Sequence, residues 1–380
     1  MNIGYVVTDL GLGGTQRFVE LAALELARRG HAVTVLGERR PHDRVARLRE
    51  AGVQVHAFDA PAPLAKYAEL LRAARVELVH LAVWQRTALL RLGRMTGAAL
   101  ALSYQHVPPA PDYDWRWRLL KPWMLADHLG GMLRAARFVD AHLGCCEASA
   151  AGARCVLWPV GRGRVFSLPN AVPLPAEQTP DSVIAGPVHF VQVSSLITRK
   201  NPTATLRAFA AVKRQAPEAL LTFVGDGPLR GALEAETRRD GIAGVTFTGE
   251  VLDPSPHYLA CNVMVLPSLS EGLPYALLEA ASRGLPLIST NVDGNPEIAA
   301  SGENALLVPP GDVAALSEVM LRLARSPELR RSLGAASRQR VEKQFEVVGH
   351  VQRMLHLYRE IVARRLREDG RRKAQTGPGT

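Results

Sequence analysis

At 380 residues, 47% of them hydrophobic and 22% charged, the chain is too long for one ordinary core and too apolar to be disordered. Its formal charge of +10 raises nucleic acid as a partner, but arginines lie in scattered pairs such as Arg39-Arg40 and Arg238-Arg239, with no aromatic array to stack bases. No apolar run approaches the roughly 18 residues of a membrane span, and the first residues lack a signal peptide's charged-then-apolar order.

In chain order, Ile3 to Thr8 read as an apolar strand, followed by the glycine loop Gly11-Leu12-Gly13-Gly14-Thr15-Gln16 and a helix to Arg29 that Gly30 stops. Phe18, Leu21, Ala22 and Leu26 give that helix an apolar face, while Arg17, Glu20, Glu25 and Arg28 cluster opposite. His31 to Leu36 is the next strand, and Leu100 to Tyr104 is a later one with His106 just past its end. Trp115-Arg116-Trp117-Arg118-Leu119-Leu120-Lys121-Pro122-Trp123 interleaves aromatics and cations. It has two readings: tryptophans packed within the domain, or a segment resting on an anionic inner leaflet, where Pro122 interrupts any long amphipathic helix. Phe166 to Val172 closes this half, and Pro173 to Asp181, rich in proline and polar groups, reads as an interdomain linker.

The second half opens with His189 to Val193 as a strand and Ser194 to Asn201 as its loop, carrying Arg199 and Lys200. Val224-Gly225-Asp226-Gly227 is a strand running into a tight turn. The short apolar run Val263 to Pro267 reads as a buried parallel strand. After it, Glu271 and Glu279 stand eight positions apart across a strand-to-helix junction, with Pro274 expected as the first helical residue. The N–H groups of Tyr275, Ala276 and Leu277 then lie unpaired at the positive end of a helix, which suits phosphate oxygens. Gly284 ends that helix, Leu285 to Ile288 begin another strand, and Asn295-Pro296-Glu297 is a helix start with Asn295 capping. The alternation of strand and helix implies parallel sheets covered on both faces, in two α/β domains. Val351, Met354, Leu355, Tyr358, Ile361, Val362 and Leu366 keep helical spacing near the end. The expected division is 1–172 as a first domain, 173–186 as linker, 187–350 as a second domain, 351–370 as a last helix and 371–380 as a disordered tail.

The stretch from Val263 to Asp312 resembles the donor-binding half of the family 4 glycosyltransferases, which are nucleotide-sugar-dependent enzymes with the GT-B fold. The strand, Gly-Gly loop, helix, Gly-His, strand order at the N-terminus resembles the acceptor-side domain of the same family, and Phe166 to Val172 resembles the segment that leaves it, with Ala171 where the family more often has Gly. The resemblance covers most of the chain. It implies two Rossmann-like parallel-sheet domains facing across a cleft, with the C-terminal helix crossing back to the first. The implied activity is transfer of a sugar from a nucleoside diphosphate sugar, UDP favoured over GDP, to a saccharide or lipid-linked acceptor with retention of anomeric configuration, in cell-envelope polysaccharide, lipopolysaccharide or glycolipid synthesis.

Such a donor offers a ribose diol, a diphosphate of about two negative charges and a hydroxyl-rich sugar. The resemblance implies that Glu279 accepts from the ribose hydroxyls, that Glu271 lies nearer the transferred sugar, and that Lys200 and Arg199 supply charge to the diphosphate as it departs. Gly272, Leu273, Tyr275 and Ala276 form the loop and first helical turn around the donor, and Val251 belongs to the segment whose backbone reads the base. On the acceptor side, Gly13 and Gly14 bring backbone N–H groups near the donor phosphate, and His106 matches a histidine that contacts the sugar. One departure stands out: Ser195 occupies a loop position where the family usually has Arg, so one positive clamp is missing from its usual place.

Gly11-Leu12-Gly13 after a strand also admits a nicotinamide-dependent oxidoreductase, but Gln16 stands where the third glycine belongs. A non-catalytic nucleotide-sugar-binding subunit and a sugar-nucleotide epimerase are further alternatives. Cys145, Cys146, Cys155 and Cys261 lack ligand spacing, so no metal site, cofactor or disulfide is expected and a cytoplasmic place, at most peripheral to the membrane, is implied.

Overall fold

The computed structural model describes residues 1–39, 44–82, 87–104, 130–158 and 164–375. They fall into two compact units: the first takes the chain up to Pro169 and again from Val347, the second Asn170 to Glu346.

The first unit is built on a parallel sheet of β1 (Asn2–Asp9), β2 (Ala32–Glu38), β3 (Gln54–Phe58), β4 (Leu78–Ala82), β5 (Ala99–Tyr104), β6 (Ala141–Gly144) and β7 (Val165–Ser167), in the order β3-β2-β1-β4-β5-β6-β7. Ile3, Tyr5, Val6 and every residue of β4 are buried, as a sheet with helices on both faces requires. The helix Gly14–Arg28 carries its expected apolar face, but Glu20 and Glu25 across from it are also buried. Their carboxylates escape the cost of desolvation through arginines: Glu20 pairs with Arg17, Arg44 and Arg47, and Glu25 with Arg28 and Arg29.

The last helix, Val347–Gln375, belongs to this first unit. Val351, Met354, Tyr358 and Ile361 form its buried face, and the Tyr358 hydroxyl lies 2.5 Å from His80 Nδ1 and 3.2 Å from the Tyr5 hydroxyl. His80 Nε2 in turn meets the Ser103 hydroxyl near the end of β5. Farther along, Arg365 pairs with Asp140 at 3.3 Å and Glu368 with Arg164 at 3.0 Å. The helix continues to Gln375, so the first residues of the expected disordered tail are helical.

The second unit repeats the plan with β8 (His189–Val193), β9 (Leu220–Val224), β10 (Val245–Phe247), β11 (Val263–Leu266), β12 (Leu287–Thr290) and β13 (Ala305–Val308), all parallel, in the order β10-β9-β8-β11-β12-β13. Phe190, Phe209, Phe223, Val263, Val265 and Ile288 sit at its centre, fully buried. The stretch read as a linker is not a free connection. Thr179 is held by the carbonyls of Arg283 and Tyr258, a short helix spans Asp181–Ala185, and buried Arg330 donates to the carbonyls of Ile184 and Gly186. Burial of Ile184 and of the Arg330 guanidinium, satisfied by carbonyls, fixes the segment to this unit.

Candidate functional site

In the second unit the strand order reverses between β8 and β11, and in open parallel sheets ligands bind beyond the strand C-termini at such a point. The loop 194–201 leaves β8 there and the loop 267–274 leaves β11, so Lys200 and Glu271 meet although 71 positions separate them. The two loops are tied by Leu269 N–H donating to the Arg199 carbonyl at 2.8 Å. Gly225, at the end of β9, has φ 132° and lies so near the first loop that a Cβ would stand 2.1 Å from the Ser194 carbonyl oxygen. Only glycine permits that approach.

Glu271 is 4% exposed and is surrounded by donors. Lys200 Nζ bonds its Oε1, which also accepts from the Ser268 hydroxyl at 2.7 Å, and Arg199 Nη1 lies 3.7 Å from Oε2 while donating to the Ser270 carbonyl at 3.2 Å. Burial pushes the Glu271 carboxyl up, but Lys200, the Ser268 hydrogen bond and Arg199 together outweigh it and hold it below the usual glutamate value. An ionised acid in an otherwise buried loop is therefore matched by two cations. Behind it, Asp293 Oδ2 accepts from the Ser270 hydroxyl at 2.7 Å and from the Glu271 N–H at 3.1 Å.

The helix after this loop is Tyr275–Ser282, one residue later than expected, with Pro274 extended before it at φ −71° and ψ 124°. Leu277 N–H is not available to a ligand, since the tight first turn directs it to the Pro274 carbonyl at 3.2 Å. Gly272 and Leu273 are buried, and the Leu273 carbonyl accepts from Asn170 Nδ2 at 2.7 Å. Glu279, about one turn into the helix, is half-buried and belongs to a second cluster: the Tyr258 hydroxyl donates to Glu279 Oε2 at 3.4 Å, and Arg283 lies over the Tyr258 ring while bonding the Glu279 carbonyl and the Ser255 hydroxyl. Val251 lies in the loop after β10, half-buried.

Ser195 is exposed, whereas Arg199 and Lys200 both turn toward Glu271. Asn295 does not cap its helix; it is fully buried and donates to Ser289 Oγ and the Thr290 carbonyl, tying the turn to β12. Gly13 and Gly14 are exposed in the first unit, in a loop where Asp9 Oδ1 accepts from Gly11 N–H and from Gln16 Nε2, both at 3.0 Å. Gln16, which replaces the third glycine of a dinucleotide fingerprint, thus serves to hold the loop. His106 and the segment Trp115–Trp123 lie outside the described residues. Among the described residues, no group of three or more His, Cys, Asp or Glu could hold a metal, and no helix is long and apolar enough to cross a membrane. Sequence reasoning missed Ser268, Asp293 and Tyr258; of these, Asp293 carries a local signal in the dipeptide Asp293-Gly294, which favours a turn.

The sequence profile described as a glycosyl transferase 4-like domain matches residues 13–171, and that described as glycosyl transferases group 1 matches 187–326. The chain belongs to this family of glycosyltransferases, and its two Rossmann-like units are those of the GT-B fold. HepE of Anabaena, solved in complex with UDP, superimposes with a TM-score of 0.77 at 17% identity, over 95% of this chain and all of that one. The exopolysaccharide phosphotransferase of Streptomyces coelicolor is 32% identical over 222 residues, 56% of this chain and 22% of that protein. The GDP-mannose-dependent alpha-(1-6)-phosphatidylinositol monomannoside mannosyltransferase of Mycobacterium tuberculosis is 30% identical over 165 residues, 41% of this chain and 43% of that protein. The chain thus spans less than half the length of these curated relatives.

Proposed function

We propose that the chain transfers a hexosyl group from a nucleoside diphosphate sugar, a UDP-sugar, to a saccharide or lipid-linked acceptor with retention of configuration, in polysaccharide or glycolipid synthesis at the cytoplasmic face of the membrane. The observation that carries this is the convergence of Lys200, Arg199 and buried Glu271 at the strand-order reversal of the second unit. Family membership supports the reaction class, the UDP bound to the Anabaena neighbour supports the base, and the phosphatidylinositol mannoside relative supports a lipid acceptor.

A diphosphate arriving with about two negative charges competes with Glu271 for Lys200 and Arg199, and Glu271 is then left to accept from hydroxyls of the sugar. Glu279, supported by Tyr258, takes the ribose diol. The C1–O bond to the diphosphate breaks with its electron pair passing to the phosphate oxygen, the acceptor oxygen bonds C1 on the same face, and that phosphate oxygen takes the acceptor's proton. Two cations and the first turn of the helix Tyr275–Ser282 supply the charge, so no metal is invoked. Gly13 and Gly14 serve the donor phosphate and the acceptor, and His106 serves the transferred sugar.

Incubation of the purified chain with labelled UDP- and GDP-sugars, followed by nucleotide release, tests this. Glu279→Gln and Lys200→Ala are expected to weaken donor binding, and Glu271→Ala to lower turnover more than binding. Unchanged kinetics in all three would remove the site. Donor binding without turnover on any acceptor would indicate a binding subunit, which the serine at 195 also permits.

A further inference from the structure

Among the described residues, three other than glycine hold a backbone φ in the left-handed region: Arg75, Asn201 and Asp293. Two of the three abut the candidate donor site. Asn201, at φ 51°, directly follows Lys200, and Asp293, at φ 42°, bonds Glu271. Such a conformation costs on the order of 1 kcal/mol or more for a residue with a Cβ and persists where surrounding structure over-determines it. An aspartate can reduce that cost by bonding within its own turn. Asp293 instead sends Oδ2 to the neighbouring loop, where it accepts from the Ser270 hydroxyl at 2.7 Å and the Glu271 N–H at 3.1 Å.

We propose that Asp293 is a positioning residue for Glu271: the strained turn after β12 is maintained because its carboxylate clamps the Ser270–Glu271 backbone and thereby aims the Glu271 side chain at the transferred sugar. The placement follows from the sheet. β12 lies beside β11 in parallel register, with Leu266 opposite Ser289, so the turns that leave their C-terminal ends are adjacent. The turn is itself anchored from below by Asn295, whose Nδ2 reaches Ser289 and Thr290, and the Thr290 hydroxyl bonds the Ser268 carbonyl. Ser268 also donates to Glu271, so the carboxylate is fixed at its side chain by Ser268, Lys200 and Arg199 and at its backbone by Asp293. Removal of the backbone clamp leaves the side-chain partners in place but frees the loop to shift by a fraction of an ångström, and a small misplacement of a group that orients substrate is costly in rate.

This role rests on the donor-site reading above, and one experiment separates the two. Thermal stability, affinity for UDP and GDP, and nucleotide release from UDP-glucose, UDP-galactose and GDP-mannose are measured for the wild-type chain, Asp293→Gly and Asp293→Asn. Glycine adopts the left-handed conformation freely but leaves the Ser270 hydroxyl and the Glu271 N–H without their acceptor, so the two effects on stability oppose each other and Asp293→Gly is expected to shift Tm by only a few degrees and to leave nucleoside diphosphate affinity within about twofold, while kcat falls by about tenfold or more. Asparagine tolerates the same backbone and retains an acceptor oxygen, so Asp293→Asn is expected to recover most of kcat. A fall in Tm that parallels the fall in kcat would make Asp293 merely structural, and an unchanged kcat in Asp293→Gly would end the assignment while leaving the donor site intact. A wild-type chain that binds no nucleotide and releases none from any of these sugars overturns the donor site, and the role of Asp293 with it.

Discussion

The two units share one sheet plan and use their buried polar groups in opposite ways. In the first, the polar groups at the sheet's centre are neutral: Tyr5, His80, Ser103 and Tyr358 form a chain that docks the last helix onto β1 and β4. Its buried carboxylates, Glu20 and Glu25 on the helix Gly14–Arg28 and Asp140 just before β6, are matched by arginines. In the second unit the buried carboxylate, Glu271, stands at the end of the central strands, where a ligand could take over its partners. Equal topology thus fixes where a site can be, and the placement of charge is what distinguishes the two units there.

Acid is expected to separate the units most strongly. Burial holds His80, His142 and His350, all in the first unit, near pKa 3 against an ordinary 6.5, with Arg164 adding to the effect at His142 and Arg353 at His350. A histidine whose folded pKa is depressed binds its proton more readily in the unfolded chain. Its contribution is complete above pH 6.5 and declines as pH falls toward 3, by about 1.4 kcal/mol per pH unit for each. In the second unit Glu271, held low by its cations, keeps its contribution above the ordinary glutamate value and loses it only as pH falls through its lowered pKa, a later window. His189 in that unit is also depressed, but it keeps a Thr222 partner and is less buried. Hydrogen exchange at pH 7, 6 and 5 is therefore expected to show β1 and β4 losing protection before β8 and β11. The reverse order would break the comparison.

Next in size is the pair at the site. Lys200→Ala leaves Glu271 buried beside Arg199 alone, and truncating one member of a buried pair costs about 3 kcal/mol or more. Urea unfolding is expected to show that loss in the second unit, together with a fall of about a hundredfold in nucleotide release. Lys200→Ala combined with Glu271→Gln removes the stranded charge, so stability should return while activity does not. Recovery of both, or of neither, would mean that the pair serves only packing.

Much of this could be read in the sequence because local patterns carry it: the apolar run Val263–Leu266, Pro274 at the helix entry, and cations and acids in the loops that follow strands. What could not be read depends on partners brought by the sheet order. Glu20 looked like part of a polar helix face, since Arg44 and Arg47 arrive from another element. His80 meets Tyr358 across a separation of 278 positions. The dipeptide Asp293-Gly294 is a turn signal compatible with a left-handed backbone, but the reach of Asp293 to Glu271 has no local signature.

The smallest expected effect tests whether the neutral network of the first unit is purely structural. Tyr358→Phe removes the hydroxyl shared by His80 Nδ1 and Tyr5 and keeps the ring that packs against His80. A buried polar group left without its partner costs about 1–3 kcal/mol, and Tm should fall by roughly 2–4 °C for each of those. Adding His80→Leu takes away the second polar group and is expected to restore part of the loss, which a simple packing defect would not do. Nucleotide release should be unchanged in both variants, because Lys200, Arg199 and Glu271 are held by one another and by Ser268 within the second unit. A selective loss of turnover at full stability would instead tie the docking of the last helix to the chemistry, and the division of labour between the two units would no longer hold.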